Sequence, residues 1–249
     1  MGIKGLFAFL ARWEQFVPLE EAIQNQSVGL DIFWWIHQSK GDILAFQESL
    51  TPFFEWAKAV HVVLDGKETT QERREELEER RDKRQGTIEM IEEIRAAPIM
   101  GPNDQTILDR YLRQLKRQIW KPSITYIDQI KTWLIEQGAT IHEPKGEADE
   151  ALIEMEQQGI IDRIVTNDSD LIARGAETVI RITPRNGTVY SKSHMRKQMG
   201  FTNECWDEFM RLCQMKVEPL VAYSLVRVYR EHAREKIRDL PQPNGIIPL

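Results

Sequence analysis

Two pairs of carboxylates stand at i, i+2 spacing: Glu147 and Asp149 in Gly146-Glu147-Ala148-Asp149, and Asp168 and Asp170 in Thr166-Asn167-Asp168-Ser169-Asp170. Pairs of this kind supply the hard oxygen ligands that divalent cations take. Two further aspartates each close a short apolar run, Asp31 after Val28-Gly29-Leu30 and Asp65 after Val60-His61-Val62-Val63-Leu64. An aspartate in such surroundings is costly unless it is paired, hydrogen-bonded or metal-bound. Taken singly, each feature has an ordinary explanation: acids in a first helical turn complement the macrodipole, and Asn-Asp-Ser-Asp is common turn composition. The same device at four separate places is hard to explain as solvated surface. Six carboxylates gathered without cations would repel one another and raise their own pKa values. The pattern therefore points to a divalent-cation site among Asp31, Asp65, Glu147, Asp149, Asp168 and Asp170.

Acids so far apart in the chain need a scaffold that brings them to one rim. The spacing predicts short strands over Val28–Ile32, Val60–Leu64, Ala139–His142 and Ile160–Thr166, with a helix from Glu147 to Gly159. Strands alternating with helices give an α/β fold with a mostly parallel sheet, and ligands gather beyond the carboxyl ends of such strands. A hairpin is expected where Thr178–Ile182 and Thr188–Ser191 bracket Asn186-Gly187. Leu6, Phe7, Phe9 and Leu10 begin a buried helix near the amino terminus. A loop is expected over Ala96–Asp104, a helix over Ile107–Gln118, another from Pro122 to Gly138, and further helices after Lys192.

The run Gln71–Arg95 is dense in charge. At about 100° per residue, Arg73, Arg80 and Arg84 share one side, with Arg74 and Arg81 alongside. Glu72, Glu75, Glu78, Glu79 and Asp82 take the other, with Lys83 among them. Such a helix is either a solvated one held by i, i+4 pairs or a basic stripe turned toward phosphates. Leu77 alone can bury much apolar surface between Gly66 and Thr87, so the order of this stretch is expected to depend on a ligand. Arg227, Arg230, Arg234 and Arg238 recur every three or four residues opposite Val221, Leu225 and Val228, and admit the same two readings.

With 249 residues and 41% hydrophobic content, the chain can bury one sizeable core with an appended helical part. The net charge of −6 conceals an asymmetry: Arg181–Leu240 carries 12 basic against 7 acidic residues, leaving −11 for the remainder. Cys205 and Cys213 have no metal-ligand spacing, which points to a reducing compartment. No transmembrane run, secretory signal or myristoylation signal is found, so a soluble intracellular protein is expected, with nucleus and cytoplasm unresolved. There is no P-loop, no GxGxxG after a strand and no Ser/His/Asp or Cys nucleophile motif.

The order of these motifs resembles the flap endonuclease/XPG type of structure-specific 5′-nuclease. MGIKGL stands at the terminus, an aspartate at the first strand end and LDGK at the second. A charged helix of the form R-x6-R-x2-KR, then GEAD and TNDSDLIARG, follow. The resemblance implies a PIN-like α/β nuclease domain over 1–215, a charged gateway helix over 71–97, and a helical extension over 216–249. That extension replaces the family's helix-two-turn-helix. It also implies phosphodiester hydrolysis with two Mg²⁺ or Mn²⁺ ions held by the six carboxylates, and that Arg73 and Arg80 contact the scissile phosphate. Gly2, Lys4, Lys67, Lys83, Arg84, Arg227, Arg230 and Arg234 join those arginines as nucleic-acid contacts. The expected partner is branched or 5′-ended DNA, with RNA as an alternative. Three departures stand out. The segment between Asp31 and Asp65 is short, the seventh family carboxylate is absent or replaced, with Glu218 or Asp207 as candidates, and the tail has no sliding-clamp-binding peptide. Two alternatives follow: a PIN-type endoribonuclease, or an inactive nuclease-like module that binds nucleic acid or protein.

Overall fold

The computed structural model describes residues 2–66, 71–96, 101–182 and 187–238, without the side chains of 72, 73, 76, 102–104 and 231–238. In chain order the elements begin α1 (Leu6–Leu10), β1 (Gln15–Val17), α2 (Leu19–Ile23), β2 (Ser27–Asp31), α3 (Ile32–Ser39), α4 (Ile43–Trp56) and β3 (Ala59–Val63). Then come α5 (Gln71–Ala96), α6 (Pro102–Gln118), α7 (Ile124–Glu136), β4 (Thr140–His142), α8 (Ala148–Gln157) and β5 (Arg163–Val165). The chain closes with α9 (Asp170–Arg174), β6 (Thr178–Ile182), β7 (Gly187–Ser191), α10 (Lys192–Met199), α11 (Asn203–Gln214) and α12 (Pro219–Arg238). This is a PIN-like α/β fold, its strands flanked by helices. It divides into a central unit, Asn25–Met155, and a terminal unit formed by Met1–Gln24 with Glu156–Leu249.

In the central unit β2, β3 and β4 pair in parallel, with Asp31 level with Val63 and Val63 level with His142. Val28, Leu30, Val62 and Val63 are buried. Near-continuous apolar strands of this kind are what a parallel sheet covered on both faces requires. In the terminal unit β5 and β6 are parallel, β6 and β7 form the antiparallel hairpin, and β7 pairs antiparallel with β1. The strand β7 starts at Gly187, one residue before the expected Thr188, while Asn186 lies outside the described residues. Leu6, Phe9 and Leu10 of α1 are buried, as the amino-terminal pattern predicts, while Phe7 is only half-buried.

Several boundaries move. The helix after the expected loop starts at Pro102 rather than Ile107. Proline suits the first helical position because its missing N–H has no partner there anyway. The strand expected over Ile160–Thr166 shortens to Arg163–Val165, since the Gly159 backbone turns at φ +69° just before it. The helix α4 carries no sequence expectation. Asp42 caps it by accepting from the Leu44 and Ala45 N–H groups at 3.1 Å, and Phe46, Leu50 and Phe53 bury its inner face.

The charged stretch is one continuous helix, α5. Its residues are strong helix formers, and i, i+4 contacts line it: Gln71 to Glu75 at 3.3 Å, Lys83 to Glu79 at 2.6 Å and Gln85 to Glu89 at 3.0 Å. Its later turns pack against α6 through buried Ile91. There the Arg84 Nε–H donates to the Ile119 carbonyl at 2.9 Å. No helix among the described residues is long and apolar enough to cross a membrane.

Candidate functional site

Three of the predicted acids are fixed by backbone N–H groups. Asp31 ends β2 and caps α3, its Oδ1 accepting from Phe33 N–H at 3.2 Å. A side-chain cap of this sort both satisfies an orphan helix donor and sets the carboxylate's direction. Asp65 follows β3, and its Oδ1 accepts from the N–H of Ala148, the first residue of α8, at 3.2 Å. Glu147 and Asp149 flank that same Ala148 at the positive end of the helix. The central unit thus places Asp31, Asp65, Glu147 and Asp149 beyond the carboxyl ends of three parallel strands.

The terminal unit repeats the device beyond β5. Asp168 N–H donates to Thr166 Oγ1 at 3.0 Å, and Asp168 Oδ1 accepts from Asp170 N–H at 3.0 Å. Burial, and then the Asp168 charge, push the Asp170 carboxyl above the usual carboxylate range; Arg174 and an Ile3 N–H oppose that shift. The amino-terminal segment lies directly on this turn. Ser169 Oγ donates to the Ile3 carbonyl at 3.3 Å. A Cβ on Gly2 would overlap Ser169 Oγ and approach Asp168 Oδ1 to 2.7 Å, so this glycine is required by space. Lys4 is exposed beside it.

Among the described residues no three His, Cys, Asp or Glu side chains gather closely enough to hold a metal ion. Divalent Mg²⁺ or Mn²⁺ nevertheless fits the chemistry of the donors present, which are all carboxylate oxygen. The half-buried Asp170 beside Asp168 is a place where added positive charge would relieve a cost.

The basic residues are less uniform. Arg80 is exposed and close enough to His37 to help depress its pKa, after burial and Lys40. Lys83 pairs with Glu79, and Arg84 ties α5 to the end of α6. Arg227 lies over the Tyr223 ring at 5.8 Å. Arg230 donates to the Gly200 carbonyl at the end of α10. The backbones of Arg73 and Arg234 are helical, their side chains are outside the description, and Lys67 lies outside the described residues. Of the candidates for the replaced carboxylate, Asp207 on α11 sits 3.9 Å from Lys192, and Glu218 immediately precedes α12.

Sequence reasoning missed Thr166, Ser169 and Gly66, which carry no charge and whose roles are contacts to backbone. It also left His61 and His142 unassigned. They face one another on β3 and β4, Nδ1 to Nε2 at 3.1 Å, and burial lowers both pKa values.

No protein-family model matches the chain. It is 27% identical over 203 residues to exodeoxyribonuclease 1 of Schizosaccharomyces pombe, covering 72% of this chain and 32% of that protein. The chain thus spans about a third of the length of that curated relative. The catalytic core of Rad2 in complex with DNA substrate superposes with a TM-score of 0.65 at 14% identity, over 97% of this chain and 77% of the other. The chain shares its fold with the Rad2 catalytic core. A further solved structure with the XPG/FEN-type fold is the Holliday junction-resolving enzyme GEN1 in complex with product DNA, Mg²⁺ and Mn²⁺ ions. Its TM-score is 0.56 at 14% identity, covering 98% of this chain and 57% of GEN1.

Proposed function

We propose that this protein is a divalent-metal-dependent 5′-nuclease that hydrolyses phosphodiester bonds in branched or 5′-ended DNA. The observation that carries this reading is the repeated strand-end aspartate held by a backbone N–H, at Asp31, Asp65 and Asp168, in a chain that shares the fold of the Rad2 catalytic core. Asp31, Asp65, Glu147, Asp149, Asp168 and Asp170 would hold two Mg²⁺ or Mn²⁺ ions. When bound, such ions supply Lewis-acid stabilisation of the charge that builds on the attacking and leaving oxygens. The chain's own residues do the rest. The backbone N–H contacts fix the carboxylates before substrate arrives, so that little reorganisation is left for the reaction itself. Arg80, with Arg73, holds the scissile phosphate and neutralises its oxygens. The DNA bound in the Rad2 and GEN1 structures supports a DNA substrate. The two free cysteines, Cys205 and Cys213, accord with a reducing intracellular compartment.

Cleavage of a labelled 5′-flap DNA with Mg²⁺ or EDTA, beside an RNA hairpin and a single strand, tests the reading. Metal-dependent cutting of the flap DNA is expected. Preference for the RNA hairpin would point to an endoribonuclease. Binding of all three without cutting would leave only a nucleic-acid-binding module.

A further inference from the structure

The pairing of β3 with β4 does not stop where the strands do. Past Val63 and His142, Leu64 N–H donates to the His142 carbonyl at 3.0 Å, and Gly66 N–H donates to the Gly146 carbonyl at 2.8 Å. Between them, Asp65 Oδ1 accepts from Ala148 N–H at 3.2 Å. Three successive residues after β3 are thus hydrogen-bonded to the stretch from the end of β4 at His142 to the start of α8 at Ala148. The two backbones meet closely at Gly66. A Cβ there would overlap the carbonyl oxygens of Pro144 and Lys145 and the carbonyl carbon of Lys145. All three atoms are backbone, so no side-chain rotation can make room. Gly66 is not among the positive-φ glycines, so space rather than conformation demands a glycine. Gly146, its partner, differs: a Cβ at that position would find only Glu150 Oε2, at an ordinary 3.6 Å.

We propose that Gly66 is a positioning residue for the acids of the central unit. Its bare backbone lets the Asp65 segment seat against the β4–α8 connection, which aims the Asp65 carboxylate at the first N–H of α8 and sets it beside Glu147 and Asp149. This inference rests on the metal-dependent reading above. A side chain at position 66 would wedge the two segments apart and move Asp65 away from its neighbours, while leaving the sheet beneath and the arginines of α5 in place.

The test compares Gly66→Ala with Gly146→Ala in the full chain. Mn²⁺ binding is followed by electron paramagnetic resonance, and binding of flap DNA is measured in EDTA. Supporting contacts around a metal site are worth about 10- to 100-fold in metal affinity, and Gly66→Ala should lose about tenfold or more on that scale. Gly146→Ala should bind Mn²⁺ like the unaltered protein, and both variants should bind DNA in EDTA unchanged, a readout that general unfolding would move. Should Gly66→Ala fail to fold, Ala148→Pro removes the same N–H from the other side, at a first helical position that accepts proline; its Mn²⁺ affinity should fall likewise. Undiminished Mn²⁺ binding by Gly66→Ala, or by Ala148→Pro in its place, overturns the proposal, as does an equal loss in Gly146→Ala. Absence of Mn²⁺ binding by the unaltered protein would instead remove the reading on which the proposal stands.

Discussion

The strand-end acids and the charged helix α5 carry ionised side chains in opposite mechanical settings. Asp31, Asp65 and Asp168 are each held by a backbone N–H, next to strands whose Leu30, Val62 and Ile164 are fully buried. In α5, no described side chain from Gln71 to Gly86 is buried, and the only apolar one of size there, Leu77, is 44% exposed. The helix is kept by local pairs instead. Groups that must be placed within a fraction of an ångström therefore stand on the rigid sheet. Groups that need only attract a phosphate stand on a helix that contributes little to the core.

Core truncation should separate the two regions most sharply. Leu30→Ala should cost about 2–5 kcal/mol in denaturant unfolding, whereas Leu77→Ala should stay within about 0.5 kcal/mol. Similar losses from both would mean that α5 is part of the core after all. Next in size, Arg80→Ala should reduce cleavage at saturating DNA by about 10²-fold, the scale of one preorganised electrostatic partner, with little loss of affinity. Arg227→Ala, far along the chain on α12, should do the reverse, and its salt dependence of binding should fall by about one phosphate contact. Steady-state kinetics and binding titrations over salt would show whether the two arginines are interchangeable.

Smaller effects probe the acids without substrate. Because the Asp170 pKa is raised by burial and by Asp168, its charge costs folded-state stability above that pKa. Asp170→Asn in EDTA should therefore raise Tm, by about 2–4 °C for each kcal/mol relieved in a chain of this size. The gain should shrink as pH falls through the raised pKa, where the native carboxyl is protonated too. The smallest effect belongs to His61 and His142, whose pKa values lie below the ordinary 6.5. Unfolded imidazoles take up protons first, so the pair's contribution is present above pH 6.5 and is lost as pH falls below it. His61→Gln should flatten that part of the stability profile. An unchanged profile would assign the slope to other groups.

Much of this was legible in the sequence. Asp31, Asp65 and Asp168 could be placed at strand ends because each follows a short run of Val, Ile and Leu, a local signal. The hairpin at Gly187 and the helix opening near Glu147 were legible for the same reason. Other features depend on what meets in space. Gly66 looks like any turn glycine until the carbonyls of Pro144 and Lys145 stand against it. Arg84 reads as one more cation of the stripe, yet it binds the Ile119 carbonyl, 35 residues away. The strand β1 and helix α4 escaped notice because three residues carry too little periodicity, and because Pro52 inside α4 reads as a helix breaker.

The claim beneath all of this is that strand-end carboxylates carry metal-dependent cleavage. The direct measurement is the rate of 5′-flap DNA cleavage by Asp168→Ala at saturating Mg²⁺, in protein whose melting profile matches the unaltered chain. A loss of about 10²-fold or more is predicted, the scale of removing one preorganised electrostatic group. Undiminished cleavage by that variant would contradict the account.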